Sequence, residues 1–227
     1  MSIERSVENL LARCTPEAMP ERRRRRRIQI YAKGIEAKIR QARFALDRLR
    51  SLSIEDEGVT STSTPEVLSN EEQAEFYNDC LWTFLFSAFD ILGQVLNQTY
   101  NLGFDEREVN LVSVAQALSV KIGDPVAGQV EQLLRSNTFK TVKKYRHCSV
   151  HRRQIALTHV MAKITEAYSF STVDVTGPSK TRQRLLCDDP CTIDPKFKKH
   201  RDLVDFAEAH IARTEKKISK ILDCLLR

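Results

Sequence analysis

A chain of 227 residues with 41% hydrophobic and 29% charged residues can bury a sizeable core, and its composition is that of neither a disordered chain nor a set of membrane spans. Seven glycines and seven prolines are too few for turn-rich sandwiches, barrels or glycine-looped nucleotide folds, so long helices are expected. The formal net charge of +6, from 36 Lys and Arg against 30 Asp and Glu, is local, because Arg22, Arg23, Arg24, Arg25, Arg26 and Arg27 form one unbroken run.

In chain order, Ser2 to Arg13 is a short amphipathic piece ended by the two prolines of Thr15 to Pro20. A long helix is expected from Glu21 to Leu52, since Ile28, Tyr31, Ile35, Ile39, Ala42, Leu46 and Leu49 recur at spacings of three and four. Its first turns carry the arginines, which oppose the helix macrodipole. Residues 53–68 read as a polar, acidic linker. Ser69 followed by Glu72 is a capping-box pattern opening a helix to Tyr100, the most apolar of the chain. Further helices are expected from Glu108 to Lys121, from Pro125 to Ser136, and from a cap at Asn137 to Arg152. From Ile155 the period changes towards alternation, and Ile155 to Cys187 predicts a β-hairpin or small meander. A last helix is expected from Pro195 to Leu226. The fold class is therefore mainly all-α, a single helical domain with a core over residues 69–153 and a small β-hairpin insertion, 154–190, before the C-terminal helix.

No stretch reads as an eighteen-residue membrane span, and the N-terminus lacks the apolar core of a secretory signal. The expectation is a cytoplasmic protein without membrane contact. Its six cysteines, at 14, 80, 148, 187, 191 and 224, are expected as thiols rather than disulfides.

The helix from Ser69 to Tyr100 carries a polar seam, Thr83, Ser87, Asp90, Gln94, Asn97 and Asn101, at spacings of four and three. Two readings fit it: a solvent face, or the lining of a cleft or subunit contact in which Asp90 needs a cationic partner. Candidates for that partner lie between Asn137 and Arg153, a segment with Lys140, Lys143, Lys144, Arg146, Arg152, Arg153, His147 and His151 and no acidic residue. Such a segment attracts phosphate, although a solvated basic face has the same composition. Within it stands Arg146-His147-Cys148-Ser149-Val150-His151. An arginine binds a phosphate bidentately, and a histidine exchanges protons near neutral pH. Those are the two functions that metal-free RNA cleavage requires. Five residues apart on a helix the two side chains diverge by about 140°, so both reach one substrate only near a helix end or across a dimer seam.

An Arg, a polar residue and then a His, set late in a helical bundle, resembles the signature of the HEPN superfamily (higher eukaryotes and prokaryotes nucleotide-binding domain). The resemblance covers Glu71 to Arg153. It implies an all-α bundle, a homodimer, and metal-independent endoribonuclease activity of the kind found in toxin–antitoxin, CRISPR and antiphage systems, with an antitoxin or defence-system protein as a partner. Carried over, Arg146 is the family arginine, His147 the polar residue after it and His151 the catalytic histidine; Asp90 matches, by character alone, a polar or acidic position on an earlier core helix. No cofactor is implied. A non-catalytic RNA binder of the same fold is the alternative, with His151 capping a helix or binding a carbonyl. His147 and His151 also have the i, i+4 spacing of zinc ligands, but Cys148 stands where the zincin pattern needs Glu and no third ligand is evident, so no metal is expected. The arginines Arg22 to Arg27 read either as a solvated cluster or as a salt-sensitive phosphate anchor.

Overall fold

The computed structural model describes residues 2–51, 70–120, 124–151, 186–187 and 201–225, with no side-chain description at 70–71, 148–151, 186–187 and 201–202. The described elements are α1 (Ile3–Arg13), α2 (Arg22–Ser51), α3 (Asn70–Tyr100), α4 (Leu111–Ser119), α5 (Pro125–Arg135), α6 (Asn137–His151), β1 (Leu186–Cys187), β2 (Arg201–Asp202) and α7 (Leu203–Cys224). The linker expected over 53–68, the cap at Ser69, and Arg152 and Arg153 lie outside the described residues.

Helix α3 is the axis of the bundle and packs against α2, α4, α6 and α7. Its Leu81, Trp82, Leu85, Ala88, Phe89, Leu92, Val95 and Leu96 are all buried; per residue, however, the short helix α4 is the more apolar, which corrects the expectation that α3 is the most apolar of the chain. One expectation needs correction here: Glu72–Tyr100 is long and apolar enough, by length and composition, to cross a membrane. In the fold half of that apolar window is buried in the core.

Helix α2 runs antiparallel to α3. Arg24 lies at Gln98, Gly34 against Ile91, and Lys38 over Phe84. Helix α6 is antiparallel to α3 on the other flank, with Phe139 beside Phe86 and Phe89 and Tyr145 stacked on Trp82 at 4.4 Å. Behind them α7 adds Phe206 and His210 to the Trp82 cluster. A Cβ on Gly93 would meet the backbone of Leu111 at 3.2 Å, so a glycine there lets α4 start against α3.

Helices α1 and α7 are joined by polar contacts. The Ile3 N–H donates to Glu215 Oε1 at 3.0 Å, Arg43 bridges Glu215 and Glu4, and Ser6 donates to Asp223.

Capping chemistry sets the ends. Asn110 Oδ1 accepts from the N–H groups of Val112 and Ser113, so α4 begins at Leu111 rather than Glu108. Asp124 caps α5 with Pro125 in its first turn, as expected. Ser136, not Asn137, caps α6: its hydroxyl accepts from the Phe139 N–H while donating to Leu133 O. The hairpin expected over Ile155–Cys187 receives no support. Residues 152–185 lie outside the described residues, and what is described is a two-residue antiparallel pair, Leu186 with Asp202 and Cys187 with Arg201. The C-terminal helix begins at Leu203, after that pair, not at Pro195; residues 195–200 lie outside the described residues. Cys14, Cys80 and Cys224 are free thiols.

Candidate active site

The polar seam of α3 divides into two parts with different roles. Its C-terminal part holds a turn together: buried Asn97 donates through Nδ2 to Phe104 O at 2.9 Å and accepts from the Phe104 N–H, and Gln94 donates to Glu106 O at 2.7 Å. Asn101 takes a left-handed conformation with φ 51°, and the Leu102 N–H returns to Asn97 O at 3.1 Å, which closes the helix in a Schellman-type turn. Neither sequence reading, solvent face or cleft, anticipated this use.

The N-terminal part, Thr83, Ser87 and Asp90, faces outward between the two flanking helices. On a helical wheel these residues fall between Phe84, covered by Lys38 of α2, and Phe86, covered by Arg146 of α6. All three are partly buried, and the Ser87 hydroxyl donates to Thr83 O at 2.8 Å. The strip therefore keeps one ionisable group, the Asp90 carboxyl.

Arg146 reaches this strip because α6 is anchored on its opposite side. Phe139, Val142 and Tyr145 are buried against α3, and the Tyr145 stack on Trp82 fixes the turn that carries Arg146. Trp82 is held in turn by its Nε1–H, which donates to Asn78 Oδ1 at 2.9 Å. The guanidinium then lies 5.2 Å from the centre of the Phe86 ring, a cation–π contact. Asp90 is pushed up to about 6, because partial burial penalises its charged form more than the nearby Arg146 charge favours it. Arg146 is the cation whose charge Asp90 feels, without an ion pair or hydrogen bond between the two among the described residues. A carboxyl that titrates near pH 6 beside a fixed cation can, in its protonated form, donate a hydrogen bond to a phosphate oxygen.

The remaining predicted residues are distributed around this pair. Lys140, Lys143 and His147 are exposed and follow one another at helical spacing on the outer face of α6, while Lys144 is partly covered. His151 is the final residue of α6, and its side chain lies outside the described residues.

The arginine run is at the far end of α3 from Arg146. Arg24 donates to Gln98 O at 3.0 Å and Thr99 O at 3.2 Å, Arg25 to the carbonyls of Met19 and Pro20, and Arg27 pairs with Glu106 at 3.2 Å. Tyr31 joins this cluster through a hydrogen bond with Glu106, which with burial pushes its hydroxyl up to about 12. Arg22, Arg23 and Arg26 are exposed. Three of the six arginines are thus structural, which composition alone gave no means of seeing; the opposed macrodipole at the start of α2 is offset by the carbonyl end of α3.

These features define a helical bundle with an arginine and a half-buried carboxyl near one another at the junction of its central helix and the helix bearing Arg-x4-His. A family model described as HEPN_Cthe2314-like HEPN matches residues 27–176, from the end of the arginine run through α6 and beyond, and the chain belongs to that family. No curated protein and no solved structure matches it.

Proposed function

We propose that this protein is a metal-independent endoribonuclease of the HEPN type, acting as a homodimer in the cytoplasm in toxin–antitoxin or antiphage defence. The observation that supports the reading best is the meeting of Arg146 and Asp90 on the α3 strip, because it joins a phosphate-binding cation to a carboxyl whose protonation changes near neutral pH. In this reading the RNA 2′-hydroxyl attacks the adjacent phosphorus, the bond to the 5′-oxygen breaks, and a 2′,3′-cyclic phosphate is left. Arg146 stabilises the charge on the phosphorane oxygens. His151 takes the proton of the attacking hydroxyl and supplies one to the leaving oxygen. His147 and Asp90 orient them. Lys140, Lys143, Lys144, Arg152 and Arg153 hold the flanking backbone, and Arg22, Arg23 and Arg26 add remote attraction. A helix running through both Arg146 and His151 turns them about 140° apart; two copies of α6 facing one another bring an arginine of one and a histidine of the other to the same phosphate.

The test is incubation of the purified protein with labelled single-stranded RNA in excess chelator, beside Arg146→Ala and His151→Ala purified identically. Cleavage is expected to persist in chelator and to fall by about 100-fold or more in both variants, the loss typical of removing one transition-state donor. Full activity in His151→Ala overturns the proposal. Salt-sensitive RNA binding without cleavage by the wild type identifies a binding module instead.

A further inference from the structure

Two cations overhang the α3 strip, one from each flank. Arg146 of α6 covers Phe86 at 5.2 Å, and the Lys38 ammonium of α2 covers Phe84 at 5.0 Å. Phe84 and Phe86 point to opposite sides of the strip and are offset by about 3 Å along the helix axis. The line joining the two rings therefore crosses α3 nearly at right angles, about one turn before Asp90.

Several other cations of α2 are engaged differently. On α2, Arg24 and Arg25 are held by carbonyls and Arg27, Arg43 and Arg50 by carboxylates. Lys38 donates one hydrogen bond, at 3.0 Å, to the neutral amide of Gln41. An ammonium has three donors, so Lys38 brings to the edge of the strip a charge that no carboxylate meets among the described residues. It is partly buried, with its stem laid along an aromatic ring, an arrangement that holds the charge in place. The arginine run lies elsewhere, since Arg24 meets α3 at Gln98, about 18 Å along the axis from Phe86.

We propose that Lys38 is a second phosphate-binding residue of this site, and that a single RNA strand crosses α3 from α6 to α2 with one phosphate on Arg146 and a neighbouring backbone phosphate on Lys38. The proposal rests on the ribonuclease reading for the identity of the ligand. It adds the direction of the strand and a contact from a helix that the Arg-x4-His motif does not include.

The experiment is binding of a non-cleavable 2′-O-methyl oligoribonucleotide, followed by fluorescence anisotropy over a salt series, with wild type, Lys38→Met and Lys38→Arg. Methionine keeps most of the apolar stem over Phe84 and removes the ammonium, with its charge and its hydrogen bond to Gln41. Lys38→Met is expected to bind several-fold more weakly at low salt. Its plot of log K against log salt should be shallower by about 0.7, the value of one lost single-strand phosphate contact. Lys38→Arg should restore both. With cleavable RNA, Lys38→Met should raise KM more than it lowers kcat. Wild-type affinity and slope in Lys38→Met overturn the assignment while leaving the ribonuclease reading intact, whereas failure of the wild type to bind RNA overturns both.

Discussion

At the C-terminal end of α3, Arg24 is hydrogen-bonded to the last carbonyls of that helix and Arg27 to Glu106 of the following turn. About three turns earlier along the same helix, Arg146 lies over an aromatic ring near a partly buried carboxyl. The first set of guanidiniums completes hydrogen bonds that the fold leaves open. The second lies against an aromatic ring and within electrostatic reach of Asp90, and it fills no carbonyl among the described residues. Charge density in the sequence is greatest where the cations are most fully used by the fold. Arg146 lies instead against the aromatic wall of Trp82, Tyr145 and Phe86, and this difference, more than clustering, separates it from the arginines that complete the fold's hydrogen bonds.

That wall is the place where the comparison breaks most sharply. Trp82 is buried and touches Tyr145, Phe206 and His210. Trp82→Ala is expected to cost about 3–5 kcal/mol, the range for deleting a large buried aromatic, read as a shift in the chemical-denaturation midpoint. Because Tyr145 then loses its stacking partner, Arg146 should also lose its fixed position. Trp82→Phe, which keeps most of the wall, should recover most of that stability. An equally stable alanine variant would show that α6 is held by other contacts.

A smaller effect separates the arginines within the run. Arg24→Ala frees two carbonyls at the end of α3 and should destabilise by about 1–2 kcal/mol, since hydrogen bonds to a charged donor exceed neutral ones. Arg23→Ala removes an exposed side chain and should change stability by less than about 0.5 kcal/mol. Equal effects for the two, measured by thermal melting, would erase the distinction between the engaged and exposed members of the run.

How far the sequence reveals this arrangement depends on the length scale of the interaction. Helices α2 and α3 are read to within a residue or so, because their periodic apolar faces and their ends are local signals. The caps at Asn110 and Ser136 displace two predicted helix starts, since several polar residues near each start could serve and only tertiary placement selects one. The pairing of Asp90 with the basic segment on α6 was legible as a need: a polar group on an apolar helix requires a partner. The division of the α3 seam was not, because Asn97 and Gln94 meet backbone atoms of a turn, and backbone atoms leave no mark in composition. Lys38 stayed hidden for the same reason. One lysine in a basic helix gains its meaning only from the ring it lies on.

The last prediction probes Asp90 directly. Its ordinary value of 3.8 rises to about 6 in the folded chain, first through burial, with Arg146 acting in the opposite direction. Between these values the folded state binds more protons than the unfolded one, so stability falls as pH rises through the window from about 4 to 6. The full shift would correspond to a few kcal/mol; with solvent reaching a partly exposed carboxyl, a decline on the order of 1 kcal/mol is expected. Asp90→Asn should flatten that decline. Arg146→Ala should raise the Asp90 midpoint further, because it leaves burial in place and removes the favourable charge. Carboxyl-carbon NMR titration of wild type and Arg146→Ala reads both midpoints. A midpoint that stays fixed or falls when the arginine is removed would mean that the two groups do not share the strip, whereas an upward move establishes that Arg146 is the charge Asp90 responds to.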